Sequence, residues 1–290
     1  MKTARQTSLV ASPPRYSRDD PVSMEKFRNM VLTHYKEKRR DLAWRKTTDP
    51  YHILVSEIML QQTQVDRVAL KYPRFIEAFP DFLSLARAEL SAVLTEWQGL
   101  GYNRRAIALQ KCARRVVDEF GGHLPANVEI LATFPGIGKA TASSICAFAF
   151  NMPVVFIETN IRRIFIHFFF GDLEMVTDAE ILPLAERALY REDPCTWYNA
   201  LMDLGTELRT KVPNPNRRSR HYTRQAAFEG SDRKIRGEIL RLLLSGEPLN
   251  ENDLTERLSA ESERIHRIVR ILVEEGFIQR SGQFLIITSS

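Results

Sequence analysis

Two acidic residues stand out by their surroundings. Glu57 lies in Val55-Ser56-Glu57-Ile58-Met59-Leu60 and Glu158 in Phe156-Ile157-Glu158-Thr159-Asn160, each a single charge beside apolar neighbours. A desolvated carboxyl group keeps its proton toward neutral pH and can deliver it to a leaving group, while a second carboxylate that stays ionised can stabilise positive charge. A lone glutamate on a helix face pairs more often with an arginine, but the run that follows Glu57 points elsewhere. Three glutamines in Gln61-Gln62-Thr63-Gln64 add little to a core, yet they can fill a gap in a stack of bases and hydrogen-bond an orphaned partner base. A third element, Pro135-Gly136-Ile137-Gly138-Lys139, joins two apolar stretches. Its glycines permit a sharp turn and bring bare amides to a helix start, where the dipole favours an anion such as a DNA phosphate, and Lys139 adds a positive charge.

The elements that must position these residues follow from periodicity. A helix from His52 to about Tyr72 carries Glu57, and the hairpin joins a helix over Val128 to Phe134 to one rich in small residues from Ala140 to Ala147. Leu83 to Leu94 reads as one amphipathic helix, and Ala106 to Phe120 as another, with Lys111, Arg114 and Arg115 on its outer side and Gly121-Gly122 ending it. Between them, Gly99-Leu100-Gly101-Tyr102-Asn103-Arg104-Arg105 sets an aromatic among glycines, so that Tyr102 can stack on bases while Arg104 and Arg105 face phosphates. Ile164 to Phe170 belongs to the core, and Asp178 to Tyr190 and Trp197 to Leu208 complete the helical part.

Outside that part lie a polar tail over residues 1–22, a basic linker over 209–230, and a winged-helix-like domain over 231–290, with the main domain at 23–208. The third helix of the last domain, Ser262 to Glu275, bears Arg264, His266, Arg267 and Arg270 and has the character of a major-groove reader, although such domains also bind proteins. With 290 residues, 44% hydrophobic and 27% charged, the chain has the composition of a globular protein with a full core. No apolar run suits a membrane span or a signal peptide, which implies a cytoplasmic protein, on the nucleoid if the source is prokaryotic. A net charge of +5 and a pI near 9.1 favour a polyanionic partner. Cys112, Cys146 and Cys195 stand far apart and suggest neither disulfides nor a thiolate metal cluster.

Four segments together, the Pro-Gly-Ile-Gly hairpin, the acid before Thr159-Asn160, Ser56 to Val65 and Trp97 to Tyr102, resemble the helix-hairpin-helix DNA glycosylase superfamily, and within it the MutY-like adenine glycosylase branch. The resemblance spans roughly residues 25 to 208 and implies a mostly α, two-lobed fold, with the small winged helix appended. It implies that Glu57 protonates N7 of a flipped adenine and then orients water, that Glu158 stabilises the oxocarbenium-like sugar, and that Asn160 holds that carboxylate or the water. It places Arg45, after Trp44, at the border of the base pocket. Gln61, with Gln62 as the alternative, becomes the wedge, with Gly136, Gly138 and Lys139 on the DNA backbone. The partner implied is double-stranded DNA with a mismatch or lesion, met by a monomer; no membrane is involved.

Four departures qualify the resemblance. The family residue at 158 is aspartate, and the extra methylene shifts the carboxylate by about 1 Å, a misplacement that can cost roughly a hundredfold in rate. Bifunctional relatives carry a lysine where this chain has Ala140, so a Schiff base and strand cleavage are not expected. The four cysteines of iron–sulfur relatives are replaced over 209–230 by a basic stretch, so no cofactor is expected, with a monovalent cation at the hairpin left open. The carboxyl-terminal domain that reads oxidised guanine in the branch is replaced by the winged helix. The rival readings are a thymine or uracil glycosylase acting at G mismatches, disfavoured because pyrimidines have no N7, and a non-catalytic DNA-binding protein.

Overall fold

The structure, a computed structural model, describes residues 16–171, 173–223 and 228–289. These form α1 (Pro21–Lys38), α2 (Pro50–Leu60), α3 (Val65–Ala78), α4 (Phe82–Arg87), α5 (Leu90–Trp97), α6 (Arg104–Phe120), α7 (Val128–Leu131), α8 (Lys139–Phe150), α9 (Thr159–Phe169), α10 (Asp178–Ala188) and α11 (Pro194–Lys211). After these come α12 (Asp232–Leu243), α13 (Glu251–Leu258), α14 (Ser262–Glu274) and an antiparallel pair, β1 (Ile278–Ser281) and β2 (Phe284–Ile287), in register Ile278 to Ile287. The chain is thus mostly α, as expected. No helix among the described residues is long and apolar enough to cross a membrane.

One sequence signal starts three of these helices. Asp20-Pro21, Asp49-Pro50 and Asp193-Pro194 each put an aspartate at the N-cap, accepting from amides of the first turn, and a proline where an amide would be unpaired. At the other end of α6, Gly121 adopts φ 59° and closes the helix in the left-handed form.

Two compact units emerge. The first comprises residues 1–48, 126–132 and 138–224; the second, 49–125, 133–137 and 225–290. The first unit is built on an aromatic cluster, in which Phe27 of α1 meets Phe165 and Phe169 of α9 at 5.6 and 4.9 Å and Trp197 of α11 at 6.1 Å. In the second, Phe75 packs against Phe79 and Trp97, while Tyr51 packs on Phe82 and donates to the Phe79 carbonyl. The C-terminal helices close over Ile239, Ile265, Val269, Leu272 and Phe277, all buried.

Several boundaries differ from the sequence reading, each for a local reason. The tail ends before Tyr16, whose amide donates to the Phe168 carbonyl and whose ring packs on Phe27; residues 1–15 lie outside the described residues. The helix expected over His52 to Tyr72 breaks into α2 and α3 at Gln61 to Gln64, where Gln62 takes φ 56°. Leu83 to Leu94 is likewise two helices, α4 and α5, and the helix entering the hairpin is the single turn α7. The expected linker is in large part folded. Arg218 donates to the carbonyls of Ile166, Phe170 and Leu173 at the end of α9, and Asn216 donates to the Thr159 carbonyl at its start. Arg218 therefore serves the fold rather than solvent. On α14, Arg264 and Arg267 are engaged by Asp232, and His266 sits 3.1 Å from Glu251, so three of the four residues expected to face a groove have partners inside the protein.

Candidate active site

In the second unit, α2 is buried on nearly every side, through Tyr51, Ile53 to Ser56, Ile58 and Met59. Glu57 is the acid of this helix and stands half-buried. The last carbonyls of a helix have no partner within it. Here α6 supplies one: the Arg105 guanidinium donates to the carbonyls of Ile58 (2.9 Å), Met59 (2.8 Å) and Gln61 (2.6 Å). Its other nitrogen donates to Thr63 Oγ1 (2.9 Å) and to the carbonyls of Leu100 (3.3 Å) and Gly101 (2.9 Å). One side chain thereby fixes the end of the Glu57 helix, the glutamine turn and the tyrosine turn to each other.

Arg105 thus corrects the sequence expectation: it is 9% exposed and faces carbonyls, not phosphates. Burial lowers its guanidinium to about 10, still charged at neutral pH. A sequence signal for this existed. Arg105 shares the spacing of Leu109, Cys112 and Val116, the buried stripe of α6. Arg114 and Arg115, expected on the outer side, are also occupied, with the Ala86 carbonyl and with Thr133.

The turns that Arg105 joins hold unusual backbone. Gln62 (φ 56°) and Tyr102 (φ 48°) are left-handed non-glycine residues, a conformation costing roughly 1–2 kcal/mol. Gln62 is exposed, whereas Gln61 is half-buried and its Nε2 donates to the Gly136 carbonyl at 3.2 Å. Tyr102 is half-buried, and its hydroxyl accepts from Arg233. Arg104, 72% exposed, is ion-paired with Glu275.

The hairpin turn packs on α6. Gly136 takes φ 73°, and a Cβ there would lie 2.9 Å from the Ala108 Cβ, so conformation and space both require glycine. The Cys112 thiol meets the Pro135 carbonyl, and Arg115 lies over the Phe134 ring at 4.5 Å. Gly138 differs. Its φ of −85° is ordinary, and a Cβ would meet nothing within 4 Å. It caps α8, whose first turn has no side-chain cap, with Lys139 and Ala140 exposed beside it.

In the first unit, Glu158 is the N-cap of α9. Its Oε1 accepts from the amides of Asn160 (2.6 Å) and Ile161 (2.9 Å), and the Asn160 side-chain amide reaches Oε2 at 3.4 Å. Glutamate, though longer than the aspartate expected there, still reaches the cap. Burial pushes its carboxyl above the ordinary glutamate range, opposed by those two amides and by the charges of Arg163 and Arg162. Asn160 is itself fixed: Arg163 donates to its Oδ1 (2.6 Å) and to the Gly205 carbonyl (2.7 Å). Gly205 on α11 has no room for a side chain, since a Cβ would lie 2.6 Å from the Asn160 Cβ.

Arg45, expected at the base pocket, has a side chain only 9% exposed, with Nη1 donating to Asp203 at 2.8 Å. Asp203 also accepts from the amide and guanidinium of Arg40. Burial pushes the Asp203 carboxyl up, and Arg45 and Arg40 outweigh it, so it lies below the usual range. In its described environment Arg45 is a packed, paired arginine.

The sequence-expected residues therefore fall into two groups. Glu57, Gln61, Gln62, Tyr102, Arg104 and Gly136 belong to the second unit; Arg45, Gly138, Lys139, Glu158 and Asn160 belong to the first. Arg105, Arg163 and Gly205, which hold them, were not singled out as supports in the sequence. A four-thiolate iron–sulfur cluster does not fit this donor set: Cys112 lies on α6 in the second unit, Cys146 and Cys195 in the first, and residues 209–230 contain no cysteine.

Residues 55–182 match the family described as HhH-GPD superfamily base excision DNA repair protein. An adenine DNA glycosylase of Mycobacterium tuberculosis is 30% identical over 288 residues, covering 88% of this chain and 92% of that one. A thymine/uracil-DNA glycosylase of Methanothermobacter thermautotrophicus is 33% identical over 161 residues, 54% of this chain and 72% of its own. Among solved structures, a thermostable thymine-DNA glycosylase superposes with a TM-score of 0.56 at 26% identity, covering 63% of this chain and 85% of that one. With the hairpin, the capping acid and a relative alike along nearly its whole length, the chain belongs to the HhH-GPD superfamily of base excision DNA repair proteins.

Proposed function

We propose that this chain is a monofunctional DNA N-glycosylase that flips a mispaired base, adenine first of all, out of double-stranded DNA and hydrolyses its N-glycosidic bond. Glu57 gives its proton to N7 of the adenine. The bond from N9 to C1′ breaks with its electrons passing to the purine, and the cationic sugar is stabilised by the Glu158 carboxylate that Asn160 helps to hold. Water directed by Glu57 then adds at C1′ and returns a proton to that carboxylate. Gln62, exposed at a left-handed turn, is the side chain best presented as the wedge, with Gln61 bracing it against Gly136. The uncapped start of α8, with Gly138 and Lys139, suits a phosphate. Ala140 supplies no amine for strand cleavage, and we read the reaction as independent of an iron–sulfur cluster. The C-terminal helices and hairpin we read as a winged-helix-like module, and the protein as a monomer.

The observation that carries this reading is Glu57, the one acid on an otherwise buried helix, ending in a braced glutamine turn, in a chain alike along its length to an adenine glycosylase. Duplexes with A opposite 8-oxoguanine, A opposite G, T opposite G and U opposite G test it, incubated with and without alkali. Adenine release, an abasic strand that breaks only in alkali, and loss of release in Glu57→Gln are expected; full activity in Glu57→Gln refutes the acid assignment. The likeness to thymine glycosylases favours a second reading, which stands if T or U opposite G is the faster substrate.

A further inference from the structure

The segment that stands where iron–sulfur relatives carry cysteines holds α9 at both ends. Asn216, in a 3-10 turn over Pro215–Arg218, donates from Nδ2 to the Thr159 carbonyl at 3.0 Å, one residue past Glu158. Two residues on, the Arg218 guanidinium donates to the carbonyls of Phe170 (2.5 Å), Leu173 (3.0 Å) and Ile166 (3.2 Å), where α9 ends. The backbone of the segment is tied as well: the Val176 amide donates to the Arg218 carbonyl at 2.8 Å, and the Arg220 amide to the Val176 carbonyl at 3.0 Å. Val176 leads into Thr177, the N-cap of α10, and the next residue, Asp178, accepts from the Arg162 guanidinium at 2.6 and 2.7 Å on the first turn of α9. The segment thus reaches that first turn twice, once directly and once through Asp178.

Glu158 depends on this because it is the cap of the same helix. Its carboxylate is bound by the Asn160 and Ile161 amides, so it stands wherever that turn stands. The 11 residues of α9 span roughly 16 Å, and attachments at both ends fix the position and the axis of the helix together. A reacting group displaced by about 1 Å can lose roughly a hundredfold in rate. Core packing alone does not account for Asn216. It is 5% exposed, and its Oδ1 has no hydrogen-bond partner among the described residues, so leucine, of similar volume, would serve a core as well or better. What the amide adds is its bond to the start of α9.

We infer that Asn216 and Arg218 are positioning residues for Glu158: residues 214–220 form a brace of hydrogen bonds that holds α9, and with it the carboxylate, in place for the reaction. The inference rests on the glycosylase reading and deepens it. The segment offers no thiolate, so this brace works without a metal cluster. Neither residue touches a reacting atom; both act through α9.

The test uses the full chain with Asn216→Leu, Arg218→Met and Arg218→Lys. Three quantities are measured: the single-turnover adenine excision rate, the Kd for the same duplex, and hydrogen exchange at the Asn160 and Ile161 amides against the amides of α11. Asn216→Leu should slow excision about tenfold or more with Kd and Tm little changed, and speed exchange at the two capped amides while α11 keeps its protection. Arg218→Met should slow excision likewise, and Arg218→Lys should recover most of it, because the three carbonyls gather at one helix end within reach of a single ammonium. An iron chelator should leave wild-type excision unchanged. Unchanged excision in Asn216→Leu, exchange that rises equally in α9 and α11, or loss of excision on chelation overturns the inference, since a merely structural contact would move global stability and not the cap. Should Arg218→Met fail to fold, Asn216→Leu decides. Should the wild type release no adenine, the glycosylase reading fails, while exchange at the two amides still decides whether the brace holds Glu158.

Discussion

Replacing Arg105 by methionine removes the donor that closes the Glu57 helix. Methionine fills much of the same volume and is a good helix former, so the cost is one of lost hydrogen bonds rather than of a cavity. The carbonyls of Ile58, Met59 and Leu100 are buried where Arg105 meets them, whereas those of Gln61 and Gly101 are closer to water. A buried acceptor left without a donor costs about 1–3 kcal/mol; the Leu100 carbonyl keeps the Thr63 hydroxyl, so the two orphaned at Ile58 and Met59 amount to roughly 2–6 kcal/mol. That is a large fraction of the roughly 5–15 kcal/mol that holds a typical domain. Trp97 provides the reporter, since the guanidinium lies 5.3 Å from its ring. Urea unfolding followed by tryptophan fluorescence should show an earlier transition for Arg105→Met. Arg105→Lys should recover little, because one ammonium cannot serve carbonyls on two turns. Excision should fall together with stability, as the glutamine turn loses its anchor. A shift below about 1 kcal/mol with excision intact would refute the clamp, since lost buried hydrogen bonds cannot be that cheap.

Other substitutions probe the remaining supports. Because burial raises the Glu158 carboxyl, the folded protein binds that proton more tightly than the unfolded chain does; the resulting stability is complete below the ordinary glutamate value and is lost as pH rises through the raised one. Glu158→Gln, which keeps an oxygen for the two amides, should therefore gain thermal stability relative to the wild type as pH rises, while excision drops; a gap in Tm that does not grow with pH contradicts this. Wild-type excision should likewise fade on acidification at a higher pH than an exposed glutamate would give, as read from single-turnover rates. Gly205→Ala should push α11 off α9 and lower stability by about 1–3 kcal/mol, measured by thermal unfolding, since its Cβ would lie 2.6 Å from that of Asn160. Gly136→Ala should be similarly damaging. Gly138→Ala, with ordinary φ and open space, should leave Tm unchanged and weaken DNA binding in proportion to how closely a phosphate approaches α8.

Much of this protein is written locally. Asp-Pro pairs start α1, α2 and α11 because an aspartate beside its own helix needs no distant partner, and Gly121 ends α6 for the same reason. The acids, the glutamine run and the hairpin were visible because their chemistry depends on residue type and spacing. The sequence read Glu57 and Glu158 as candidates, and it could show that four cysteine ligands are missing.

What each charged side chain does depended on tertiary packing. Arg104 and Arg105 are adjacent in sequence and identical in type, yet one is 72% exposed and the other lies in the buried stripe of α6, because consecutive helical positions face different ways. Arg45 read as a base-pocket contact and Arg218 as part of a basic linker, but each found a carboxylate or carbonyls brought from far along the chain, as did Arg163. Likewise, Gln61 and Gln62 are indistinguishable as letters; only the break between α2 and α3, closed by Arg105, ties one to the Gly136 carbonyl and leaves the other exposed. Composition fixes how much charge a chain carries, and a hydrogen bond needs two groups in place, so the partners of that charge were decided only by the fold.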